Sequence, residues 1–219
     1  VSSRLPSLLI GLTLIGAASL LQLGCAVPFA ANFLHAVGAD MVKPEYEGFA
    51  EQTVAVVTLT DGSQYSQDVV ARELSRMVAA IINQEIEDVT LVREDQIDTW
   101  RDVNGWDKTN FVEIGLGIKA DKVIAIEISE LRLREGATLF RGRCEAQVQV
   151  IDVASGDVEY TRRLEDYTFP KIAGQDITET TEARFRKLYL SMLAQEIGRS
   201  FHPYDAADRF AADSAIASY

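Results

Sequence analysis

The sequence predicts an α+β fold in the order β-α-β-α-α-β-β-β-α, and three stretches carry that prediction. Thr53 to Thr60 is an almost unbroken β-branched run, as in a strand buried on both faces, and an apolar stripe at helical period follows it. From Asp121 to Leu164 the apolar period falls to two, with Ala154-Ser155-Gly156-Asp157 as a hairpin turn within it. A final stripe of Phe185, Leu188/Tyr189, Met192/Leu193, Ile197 and Phe201 returns to helical spacing. Together these give a four- or five-stranded mixed sheet covered by helices on one or both faces, its last three strands an antiparallel meander.

Taken in order, the elements justify themselves locally. Asp61-Gly62-Ser63 turns the chain after the first strand. Val69/Val70, Leu74, Met77/Val78 and Ile81/Ile82 then predict a helix from about Ser66 to Glu85. Val89 to Val92 is a second short strand, so this βαβ unit crosses over within one sheet. Ile97, Trp100 and Val103 line a short helix that Asn104-Gly105 ends. Asn110 and Glu113 read as a capping box for a helix through Lys119. Ile124, Ile126 and Ile128 share one face of the next strand, whereas Leu131 and Leu133 have the opposite parity. That switch near Ser129-Glu130 predicts a bulge or a change of environment. Arg143 to Val153 forms the following strand, and Val158, Tyr160 and Leu164 continue the alternation. Asp176-Ile177-Thr178-Glu179 is expected to cap the closing helix. No internal repeat is present.

The 219 residues are 47% hydrophobic and 25% charged, an ordinary globular composition. With 21 Lys+Arg against 33 Asp+Glu the net charge is −12, which repels phosphate backbones and argues against nucleic acid as a partner. Arg4 is followed by an uncharged apolar run from Leu8 to Leu23, too short for a comfortable membrane span. The run closes on Leu21-Gln22-Leu23-Gly24-Cys25, which resembles a bacterial lipobox, with Gln22 where that motif favours leucine. The resemblance implies a signal peptide over 1–24 and a lipid on Cys25; an uncleaved anchor or an unlipidated leader is the competing reading. Ala26 stands where an aspartate would retain such a lipoprotein at the inner membrane, so outer-membrane residence facing the periplasm is implied. The expected organisation is a lipidated tether over 25–50, an α+β globular domain over 51–204 and a loose acidic tail over 205–219. Cys144 shares parity with Val148 and Val150 and is expected in the core as a small apolar side chain. A disulfide to Cys25 is the rival that lipidation would remove.

No catalytic constellation is legible. Gly115-Leu116-Gly117 imitates a dinucleotide fingerprint, but its glycines close a helix and precede a strand, the reverse of what phosphate binding needs. Asp152, Asp157, Glu159, Glu165 and Asp166 fall on turns and exposed parity and read as a solvated face. His35 and His202 belong to no metal-ligand pattern, and no serine sits in a nucleophile elbow. The chain is therefore expected to have no enzymatic activity, cofactor or metal. Its candidate interaction residues are Arg132 and Arg134 on one side of the long hairpin, Arg141 and Arg143 on the other, and Arg162 and Arg163 on the neighbouring strand. They could meet an anionic glycan, a phosphate or an acidic partner. Cross-strand pairing with Glu130, Glu135 and Glu145 is the favoured alternative.

Two segments carry a wider resemblance. Ile114 to Ile128 looks like the helix-Gly-to-Ala-Asp-strand passage of lipoproteins related to the curli secretion channel. Val148 to Asp157 looks like their next strand and its Asp-x-x-x-Gly hairpin. The similarity spans roughly residues 50–204. Relatives of that fold include ring-forming secretion lipoproteins, a polysaccharide-export lipoprotein, activators of peptidoglycan synthases and the amino-terminal domain of the Tol translocation protein. The resemblance implies a non-catalytic module that docks a cell-envelope protein or self-associates, held to the membrane by its lipid. Unlike the curli channel, this chain has no pair of lipid-facing hairpins from which to build a barrel.

Overall fold

A computed structural model describes residues 41–63, 65 and 68–207; the leader, Cys25, most of the expected tether and the tail from residue 208 lie outside the described residues. The elements are β1 (Met41–Val42), β2 (Thr53–Thr60), α1 (Val69–Glu85), β3 (Thr90–Leu91), α2 (Glu94–Asn104), α3 (Phe111–Ile118), β4 (Lys122–Glu135), β5 (Leu139–Asp152), β6 (Val158–Phe169), β7 (Gln175–Asp176), α4 (Glu182–Gly198) and β8 (Tyr204–Asp205). Apart from the two-residue strands β1, β7 and β8, this is the predicted order. The main sheet runs β3-β2-β4-β5-β6, with β7 added to the end of β5. β2 is parallel to both β3 and β4, and β4, β5 and β6 form the antiparallel meander.

β2 is buried along its length because both of its faces are covered. Val54 and Val56 join Ile124, Ile126, Ile128, Val148 and Val150 in a first core beneath α1 and α4, which supply Leu74, Val78, Ile82, Tyr189, Leu193 and Ile197. Ala55, Val57 and Leu59 face the other way, into a smaller core with Ile97 of α2 and with Phe111 and Ile114 of α3. The glycines of α3 serve this second core by closeness. A Cβ at Gly115 would lie 2.6 Å from Val153, and one at Gly117 would lie 2.0 Å from the Trp100 indole nitrogen.

The parity switch in β4 is a bulge. Ser129 stands opposite Glu145, the next regular pair is Arg132 opposite Arg143, and Glu130 has φ +54°. The extra residue brings Leu131 and Leu133 back onto the first core, where both are partly buried. The hairpin after β5 forms as expected, with Gly156 at φ +77° and its N–H donating to Asp152 O at 2.9 Å.

Three expectations shift. The closing helix is capped by Thr181, whose hydroxyl accepts from Arg184 N–H, and not by Asp176. Asp176 instead pairs across from Leu139 in β7, and its carboxylate accepts from Thr178 N–H at 2.8 Å and from the Thr178 hydroxyl at 2.7 Å. α1 starts three residues later than expected because Asp68 caps it, accepting from Val70 and Ala71 N–H. The helical stripes are also rotated: Val69 and Val103 are 57% and 80% exposed, while Ala71 and Arg101 occupy buried places.

The first core closes where Tyr189 lies on Gly142. A Cβ at Gly142 would sit 2.0 Å from the Tyr189 ring, and the ring's hydroxyl donates to Tyr167 O at 3.1 Å. Cys144, a free and buried thiol beside it, is pushed up to about 11 by burial. Gly142→Ala is predicted to cost about 2–3 kcal/mol by forcing strand and helix apart. Thermal or urea unfolding measures this, and an unchanged midpoint would contradict the packing described.

Candidate functional site

The six arginines do not form one patch. Arg134 and Arg162 turn toward the helix layer. Arg134 donates to Glu182 of α4 at 3.0 and 2.7 Å and lies over the Phe140 ring at 5.2 Å. Arg162 donates to Glu196 O at 3.0 Å and to the Ser200 hydroxyl at 2.8 Å, and it pairs with the Glu196 carboxylate. Their side chains differ in exposure: 53% for Arg134 and 19% for Arg162. Arg162 is thus a structural tie between β6 and the end of α4.

Arg132, Arg141, Arg143 and Arg163 fall on the opposite face. Arg132 and Arg143 are directly across from each other in the ladder, an unfavourable pairing unless each has its own carboxylate. Each does: Glu130 is 4.0 Å from Arg132, and Arg143 pairs with Asp166. Arg141 holds Glu135 at 3.2 Å and donates to Pro170 O at 3.1 Å and Lys171 O at 2.8 Å, so it ties down the loop after β6. Arg163 has no hydrogen-bond or ion-pair partner among the described residues.

That face is the open part of the sheet. α2 and α3 cover it where the residues are Ala55, Val57, Leu59, Val123, Ala125, Ile151 and Val153. Further along the same strands the same parity becomes Glu127, Ser129, Glu145 and Gln147, and among the described residues no helix packs over them. Here Gln147 stands between Glu127 of β4 and Arg163 of β6, and these side chains with Glu165 line a cavity of about 800 Å³ open to solvent. The change from apolar to polar at fixed parity is readable in the sequence as the end of helix cover.

Arg101 and Lys122 are two buried cations that periodicity does not single out. Arg101 is 4% exposed, donates to Ser63 O at 3.0 Å and Trp106 O at 2.8 Å, and lies 4.5 Å over the Trp106 ring. Burial lowers its pKa, and it joins the turn after β2 to the loop before α3. Its only legible signal is its place four residues after Ile97. Lys122, 8% exposed, donates to both Glu159 oxygens at 2.7 and 2.6 Å, with Asp152 at 3.7 Å; the Tyr46 hydroxyl also donates to Glu159. Lys122 first, then Tyr46, holds Glu159 below the usual carboxylate range, and the Ser155 backbone N–H does the same for Asp152. Because the folded state lowers both, any stability they lend is present at neutral pH and fades as pH falls below about 4.

This arrangement has the chemistry of a recognition surface. Among the described residues no three or more His, Cys, Asp or Glu side chains are grouped to hold a metal ion. The strongly shifted groups, Tyr46, Cys144, Tyr160 and Tyr189, lie in or against the first core and are raised chiefly by burial.

Comparison with known proteins gives likeness of structure only. No protein-family model matches the sequence, and no curated protein matches it. Similar solved structures include a PelC dodecamer from Paraburkholderia phytofirmans, 12% identical over 74% of this chain and 95% of that one, with a TM-score of 0.40. Lipoprotein GNA1162 from Neisseria meningitidis is 12% identical over 66% of this chain and 97% of its own, with a TM-score of 0.43. The LpoB C-terminal domain from Salmonella enterica is 18% identical over 63% of this chain and 91% of its own, at 0.36.

The division of the arginines is testable by stability alone. Arg162→Ala is predicted to cost about 2 kcal/mol, because it removes the bonds to Glu196 and Ser200 at a buried site and leaves Arg199, at 3.0 Å, as the cation of Glu196. Arg132→Gln should change stability by only a few tenths of a kcal/mol, since that pair is exposed. Equal effects in denaturant titrations would contradict the assignment.

Proposed function

We propose that the chain is a lipid-tethered, non-catalytic docking or assembly module of the bacterial cell envelope, residing at the outer membrane and facing the periplasm. In this reading residues 1–24 are removed, Cys25 carries the lipid, 25–50 lead to the α+β domain over 51–204, and 205–219 trail from it. The lipobox-like junction and the two motif resemblances support the envelope setting. No helix among the described residues is long and apolar enough to cross a membrane, so in this reading attachment rests on the lipid.

One observation carries the docking role: among the described residues, part of one sheet face is polar, solvent-open and free of helix cover, while the other face is roofed by α1 and α4. A sheet left bare in this way presents fixed, regularly spaced side chains at little conformational cost, which suits recognition. The partner is a cell-envelope protein or a second copy of the chain.

Two measurements test the reading together. Cys25→Ser should move the protein from the membrane fraction to the soluble fraction. The wild-type protein, extracted in mild detergent, should migrate as a complex larger than its own mass, and Gln147→Trp on the bare face should reduce that size while leaving the melting temperature in place. Unchanged fractionation of the serine variant would remove the lipid anchor. A complex untouched by Gln147→Trp would move docking to another surface.

A further inference from the structure

The two edges of the sheet are treated differently. On the β2 side, β3 pairs with Thr53 and Val54, and beyond it Thr58 N–H donates to the Ser75 hydroxyl at 3.0 Å and Thr60 N–H to the Ser63 hydroxyl at 2.9 Å. That edge is closed by side chains of the following turn and helix. On the other side β6 is the last strand, twelve residues long, and no strand pairs with its outer edge among the described residues. An edge of unmatched backbone donors and acceptors is a template for another strand.

The side chains along that edge say which strand. Arg163 stands opposite Gln147 on the open face. At the bulge that follows, Leu164 is opposite Ala146 and Tyr167 opposite Cys144, so Glu165 and Asp166 together face the single residue Glu145. Both line the same cavity as Arg163. Asp166, with φ +51°, is taken by Arg143. Glu165 is left exposed and without a hydrogen-bond or ion-pair partner among the described residues, as Arg163 is. A free cation and a free anion therefore sit two residues apart on one face of an unpaired edge.

We infer that β6 pairs antiparallel with β6 of a second copy, in the register that sets Arg163 against Glu165 of the partner subunit. In an antiparallel two-fold pair the numbers of facing residues have a constant sum. Placing Arg163 against Glu165 of the partner subunit puts Leu164 against its own counterpart and repeats the ion pair on the other side of the axis. Registers centred on Arg162 or Arg163 bring like charges together and are disfavoured. The dimer continues the sheet, so the bare faces of both copies form one surface and the partner class named above gains a specific member, the chain itself. The inference rests on the docking reading only for that choice of partner.

The test is a charge exchange on the full-length lipidated protein in detergent micelles, followed by sedimentation velocity over a concentration series. Wild type should pass from monomer to dimer. Arg163→Glu and Glu165→Arg should each weaken dimerisation by about tenfold or more, because each leaves two like-charge pairs at the junction. The double variant carrying both changes should recover it. Wild type that remains monomeric throughout, single variants that dimerise as wild type does, or a double variant that stays monomeric would each overturn the inference. Both positions are exposed, so the variants keep the fold, which their melting temperatures check. Membrane fractionation of Cys25→Ser is unaffected by any of these results, and the two proposals therefore fail separately.

Discussion

At Glu130, β4 takes up one residue more than its partner strand, and the backbone passes through a left-handed conformation to do so. For a non-glycine residue this costs roughly 1–2 kcal/mol, and the structure around it shows what that strain secures. From Lys122 to Ile126, β4 is buried on both sides, with Ile124 and Ile126 toward α1 and α4 and Val123 and Ala125 toward α2 and α3. After the bulge, the strand keeps only its helix-side contacts through Leu131 and Leu133 and turns Arg132 outward. One strand thus serves two environments. A continuous period-two strand of this length would have sent the leucines to solvent and the arginine to the core. A bulge at Glu165 and Asp166 makes the same adjustment on β6.

Much of this was legible in the residues, because burial leaves a periodic trace. The both-face burial of β2, the two amphipathic helices of the first core, the meander and the parity switch in β4 all follow from spacing alone. What spacing could not give is interaction between distant polar groups. Asp176 and Thr178 look like a helix start, yet the nearby strand end offers Asp176 a place in β7, and Thr181 takes over the cap. Phe49 is 1% exposed in the first core, beside Tyr46 and Phe201, although glycine and proline neighbours make that segment read as spacer.

The candidate site shows the same division. Clustering of arginines in sequence was readable, but their fates depend on strand parity and on carboxylates far away in the chain. Arg162 and Arg163 are adjacent, and one is locked to Glu196 and Ser200 while the other is free. The glycines that imitate a phosphate loop are packing devices against Val153 and Trp100. The proposed docking role therefore draws on the part of the sheet that the described helices leave bare, where charge is fixed by the strands.

The central claim is that contact is made from this sheet side. Photo-crosslinking in intact membranes tests it most directly, with benzoyl-phenylalanine placed singly at Gln147 or Ser129 on the bare face and at Arg76 or Lys187 on the helix layer. The account predicts discrete crosslinked products from the two sheet positions and none from the two helix positions. Products arising only from Arg76 and Lys187, with a silent sheet face, would contradict it.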